Sequence, residues 1–167
     1  MQQKLFPITS QTGIRYDSGY LVRQRDRIRV MPEHSPAPGE RWPYTRFETE
    51  NGQIVSSYAL IYYAYHHLFV YIQPAAVPAA LALKETLEQV LRLQVHLVTP
   101  RRQAGTLSCD RTTFSQFNSG GSTVYLVRPD AYVGLSADVQ NLKNLPSLLQ
   151  RYFSSPTTHP QLVPIKH

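Results

Sequence analysis

Cys109 is the chain's single thiol. Only the thiolate is a good nucleophile or redox centre, so a lone cysteine matters where cationic neighbours lower its pKa. Arg101, Arg102 and Arg111 are near it in sequence and would do this if they were also near it in space. One cysteine rules out an intramolecular disulfide, a Cys-x-x-Cys pair and a cysteine-based zinc site. The default reading is a structural thiol. His66-His67 raises metal ligation. Adjacent residues on a strand point to opposite faces, and neither acid nor histidine follows at i+2 or i+4, so a shared ion is disfavoured. Ordinary packing is the default here, and the sharper alternative has one of the pair lining a cavity with Tyr63 and Tyr65. Tyr58, Tyr62, Tyr63, Tyr65, His66 and His67 together are the candidate pocket or interface.

A second candidate is electrostatic. Over residues 20–30 the pattern alternates, with Arg23, Arg25, Arg27 and Arg29 on one side and Val22, Ile28 and Val30 on the other. This predicts a strand whose arginine face is either solvated surface or a site for an anion or acidic partner. The net charge is +6 and the pI about 9.6, but no reader motif and no neighbouring lysines accompany the arginines. Nucleic-acid binding is therefore disfavoured. Arg128, Pro129 and Asp130 read as a turn, with Asp130 accepting backbone N–H groups. Arg41 beside Trp42 is expected to stack on the indole or pair with an acid. The 11 acidic residues make no paired-carboxylate or Ser/His/Asp grouping, so catalytic residues are not assigned.

The elements that must position these residues follow from pattern. At 167 residues the chain is one domain, with or without an arm, and long enough to bury a core. Residues 1–12 read as a flexible arm without a signal peptide's apolar run, and no segment has the apolar length to span a bilayer. A reducing cytoplasm fits the cysteine usage. Residues 31–44 carry Pro32, Pro36, Pro38 and Pro43 and read as an ordered loop. Asn51-Gly52 between residues 46–50 and 53–56 signals a hairpin. Residues 58–67 fit either a short helix or a strand, and 68–72 a strand. Residues 75–92 are rich in helix formers, with Leu83, Leu87, Val90 and Leu91 expected to face a sheet. A strand at 94–98 completes a βαβ unit with parallel strands. Residues 101–121 read as a long connection. A hairpin follows, with strands at 123–127 and 132–135, then a helix at 142–153 and a flexible tail at 154–167. This order predicts an α/β, thioredoxin-like core over 58–153 (βαβ, crossing segment, β-hairpin, C-terminal helix) and an N-terminal β-rich extension over 13–57.

Three stretches add a resemblance. They are Gly13-Ile14-Arg15-Tyr16-Asp17-Ser18-Gly19, Pro38-Gly39-Glu40-Arg41-Trp42-Pro43 and Leu126-Val127-Arg128-Pro129-Asp130-Ala131-Tyr132-Val133. In order and approximate spacing the chain resembles the C-terminal, thioredoxin-like domain of FAD-dependent aromatic-ring hydroxylases, the phenol and polyketide hydroxylase group. The resemblance spans roughly residues 13–153. It implies a free-standing tail domain that acts as a non-catalytic interaction or assembly module, self-associating or docking on a flavoprotein monooxygenase, with Tyr58, Tyr62 and Tyr65 as the natural interface. Neither a Gly-x-Gly-x-x-Gly fingerprint nor the family's Gly-Asp motif occurs, so this chain alone is not expected to bind FAD. Where the family shows an acidic residue and glycines, this chain has Tyr62-Tyr63-Ala64-Tyr65-His66-His67. The alternatives are a small-molecule binder or minor enzyme using a Tyr/His-lined pocket, and a remnant of a longer hydroxylase.

Overall fold

The computed structural model describes residues 34–61 and 64–154. The arm, the first resemblance stretch, the arginine strand with Arg23, Arg25, Arg27 and Arg29, Tyr62, Tyr63 and the tail from residue 155 lie outside them.

Arg46–Glu48 (β1) and Ile54–Ser56 (β2) pair antiparallel about Asn51-Gly52, with Phe47 opposite Val55. Gly52 has φ +83°, which a side chain would make costly. Ser57–Leu60 (α1) is a single helical turn, and its cap Ser56 accepts the Ala59 N–H. The ambiguous stretch after the hairpin thus resolves into this helical turn, a connection, and His67–Tyr71 (β3), the following strand. Val77–Leu91 (α2) and Gln94–Thr99 (β4) complete the strand–helix–strand unit, with β3 and β4 parallel. Pro78 sits in the first turn of α2, where its missing N–H breaks no bond, and Arg92 ends the helix in the left-handed conformation at φ 52°. Leu87 is buried and Leu83 and Leu91 pack against the core, but Val90 is 71% exposed, contrary to expectation. The buried stripe runs through Val77, Ala80 and Leu87, and Val90 lies to one side of it.

Residues 101–121 are not a plain connection. They hold Leu107–Ser108 (β5) and Arg111–Phe117 (α3). Two residues are too few for a strand pattern, and α3 is built largely of Thr, Ser and Gln, which favour helices weakly or moderately. Its start was nonetheless readable: Asp110 caps it, accepting the Thr113 N–H at 3.0 Å. Ser122–Val127 (β6) and Val133–Val139 (β7) form the expected hairpin, both strands longer than the pattern suggested, and Leu145–Ser154 (α4) closes the chain.

The strands join in one seven-stranded sheet, β2-β1-β5-β4-β3-β6-β7. Strand alternation gives its faces different chemistry. Leu68 and Val70 of β3, Val95 and Leu97 of β4, and Val124 and Leu126 of β6 point to an aliphatic side covered by α2 and α4. Phe69, Tyr71, Val98, Tyr125 and Val127 point to an aromatic side covered by α3 and the segment around Trp42. Within the hairpin, Leu126 pairs with Leu135 but Val127 pairs with Val133, so Gly134 is an extra residue, a β-bulge. A Cβ at Gly134 would collide with the Tyr152 hydroxyl of α4. Gly134→Ala should therefore lever α4 off the hairpin and cost about 1–3 kcal/mol, read as a lower denaturation midpoint by circular dichroism.

Candidate interaction site

Two stretches 85 or more residues apart in sequence meet at the hairpin end. The Gly39 N–H donates to Val133 O, the Val133 N–H donates to Glu40 O, and the Trp42 N–H donates to Ala131 O, each at 2.8 Å. Arg41 faces Tyr132 in an antiparallel bridge. The Pro-rich loop thus bridges to the hairpin turn and the start of β7 without forming a strand of the sheet. Gly39 turns the chain at φ +87°, and the Glu40 carboxylate accepts the Ala37 N–H at 3.0 Å. The hairpin turn presents the other half of this clasp. The Ala131 N–H donates to Arg128 O at 2.9 Å, Asp130 accepts the Tyr132 N–H at 3.3 Å, and Arg128 and Asp130 form an ion pair. Ala131, buried, takes φ 65°. Arg128, Pro129 and Asp130 hold the turn.

Trp42 is the clasp's anchor. Its fully buried indole stacks on Phe69 with centroids 4.7 Å apart, and tilts against Tyr125 at 5.4 Å and Phe117 at 5.5 Å. The stacking on the indole that the sequence suggested for Arg41 is replaced by a contact with another ring. The indole faces the core, and the next residue back faces outward, so the guanidinium lies 5.7 Å over the Tyr58 ring instead. The Tyr58 hydroxyl donates to Trp42 O at 2.8 Å, and Tyr44 lies beside it, centroids 6.3 Å apart. Tyr44 is 64% exposed, and Tyr58 and Tyr65 are also exposed, as is Ile54 of β2. Arg41, Tyr44 and Tyr58 form one outward face.

Of the candidate tyrosine and histidine set, Tyr58, Tyr65, His66 and His67 lie among the described residues. His66 is half-buried with its ring edge-on to Phe153 of α4, at 5.2 Å. Burial lowers its pKa, helped by Arg128. His67 is fully buried on the aromatic side and meets a residue that the sequence reading missed: its Nδ1 lies 3.0 Å from His96 Nε2. The signal for His96 was available, since it sits on the strand predicted to run parallel beside the one that His67 opens. Burial, and then His67 and Lys84, push the His96 pKa down to about 3. Among the described residues no group of three or more His, Cys, Asp and Glu side chains could hold a metal ion. No helix among them is long and apolar enough to cross a membrane.

Cys109 is a buried thiol, in line with the default structural reading. Burial first, then the adjacent Asp110, push its pKa up to about 12 rather than down. Proximity in sequence did not make Arg101, Arg102 and Arg111 the deciding neighbours. At pH 8 the native thiol should react with a disulfide reagent at least 100-fold more slowly than in denaturant, followed by the absorbance of the released thiolate.

No family model matches the chain, and no curated protein matches it in sequence. Solved structures do. The flavin-dependent monooxygenase PieE, solved with FAD and substrate, superposes with a TM-score of 0.52 at 20% identity, over 74% of this chain and 21% of that one. The thioredoxin domain of a thiol-disulfide oxidoreductase from Bacteroides vulgatus superposes with a TM-score of 0.53 at 11% identity, over 71% of this chain and 99% of that one. The fold is thioredoxin-like, within an α/β class. The chain spans about a fifth of the monooxygenase. Its own strand-to-helix junction after β3 does not suit a dinucleotide: Gln73-Pro74-Ala75-Ala76 offers no glycine and lacks an N–H at Pro74.

Proposed function

We propose that this chain is an assembly module built like the tail domain of flavin-dependent aromatic hydroxylases, without a reaction centre of its own, which self-associates or docks on a flavoprotein monooxygenase. The clasp carries this reading. Two stretches that resemble the hydroxylase tail, Pro38 to Pro43 and Leu126 to Val133, are hydrogen-bonded to each other. Residues that look like separate motifs in sequence therefore serve one three-dimensional need, which a domain of the same build would share. The likeness of fold to PieE supports the reading.

The docking face would be the outward one of Arg41, Tyr44 and Tyr58, with the exposed Tyr65 as a second aromatic contact. Aromatic side chains with an arginine are the residue types that interfaces favour. Tyr44 and Tyr65 are the better probes, because the Tyr58 hydroxyl also ties down the Trp42 carbonyl. The test is co-purification from the native source, with an absorbance scan for flavin and sedimentation of the purified chain. A co-eluting flavoprotein or a stable dimer is expected, weakened about tenfold or more by Tyr44→Ser with Tyr65→Ser. A colourless, monomeric chain that captures no monooxygenase overturns the proposal.

A further inference from the structure

The pairing of His67 with His96 leaves two imidazoles, one from each central parallel strand, in contact where β3 and β4 begin. The rings are nearly parallel, 8° apart, with centroids at 5.3 Å, and Phe69 covers His96 at 4.8 Å. At 3.0 Å the two facing nitrogens hold one proton between them, one ring donating and the other accepting. A first added proton can sit on an outer nitrogen and leave that bond intact. A second sets N–H against N–H, and the bond is lost.

We propose that His67 and His96 are an acid-sensitive latch that ties β3 to β4 at neutral pH and lets this end of the sheet open when both rings are protonated. The connection entering β3 hangs on the same place. The Gln94 N–H donates to His66 O at 2.9 Å, and the His66 ring rests against Phe153. Opening would release His66 from the sheet and from α4.

Other charges bear on the pair. Among the described residues, α2 contributes Lys84, whose ammonium donates to Val95 O at 2.9 Å and pairs with Glu88 at 3.7 Å. The connection contributes His66, which in turn faces Arg128 and Asp130 of the hairpin turn. Lys84 disfavours a further positive charge on His96, and burial does so more strongly. The sign follows from linkage. The closed form keeps His96 neutral down to about pH 3, whereas an open form protonates at an ordinary 6.5. The open form binds more protons, so the closed form is fully favoured above pH 6.5 and loses ground as the pH falls from there toward 3.

The experiment follows thermal unfolding from pH 7.5 to 4.5 for the whole chain, its His96→Phe variant and its His67→Phe variant, with imidazole 15N spectra of the unaltered chain over the same range. Loss of stability on acidification is expected, much reduced in His96→Phe and reduced to a lesser degree in His67→Phe, His66 leaving a smaller common slope. In the spectra His96 should stay neutral at pH 5, where a free histidine is mostly charged. Equal pH slopes in all three proteins overturn the latch. So does a His96 that titrates near 6.5 in the folded chain, a result that needs neither variant to fold.

Discussion

The burial of one indole governs much of this architecture. Trp42 comes from a proline-rich loop that forms neither helix nor strand of its own, yet it is fully buried and touches Phe69, Phe117 and Tyr125. These partners come from β3, α3 and β6, so one side chain joins a central strand, the crossing helix and the hairpin. The arrangement is not free. Trp42 Nε1 and Tyr71 Oη are buried without a hydrogen-bond partner, each costing about 1–3 kcal/mol, which stacking and apolar burial must exceed. Tyr71 stacks on Phe117 at 5.0 Å, which shows where part of that compensation lies.

The two faces of the sheet divide the labour. Aliphatic side chains of the sheet meet α2 and α4, whose Leu87, Leu145 and Leu149 are buried in the same cluster. Among the described residues the aromatic side is covered by the short helices α1 and α3 and the segment around Trp42, and large flat rings suit such a thin cover, because each shields a wide area with few rotatable bonds. The histidine pair belongs to this same side. Its stacking with Phe69 makes it a polar continuation of the aromatic layer.

The sequence made the regular parts of this fold legible. α2 declared itself through a fifteen-residue run dominated by good helix formers, and the β6–β7 hairpin through β-branched runs about Pro129-Asp130. β5 was invisible, because a strand of two residues has no period. α3 was hidden by weak propensity, although its Asp110 cap was in plain view. The candidate site was legible only in part. Arg128 and Asp130 were read as turn residues, and they are. His67 was read beside its neighbour in the chain, whereas its true partner lies 29 residues on, across a strand pair. Contacts of that kind follow from register, which a pattern of apolar residues fixes only after the strands have been aligned.

The loop bridged to the start of β7 also has a consequence at the sheet edge. β7 is the last strand of the sheet, and an uncovered edge offers its backbone groups to any passing chain. Here Gly39 and Glu40 occupy the backbone groups of Val133. Further along β7, Asp138 places a carboxylate, one oxygen of it buried, beside the edge. Runaway strand addition would have to displace a hydrogen-bonded neighbour at one end and bury an acid at the other. At Val133 an incoming chain therefore meets backbone groups that are already bonded.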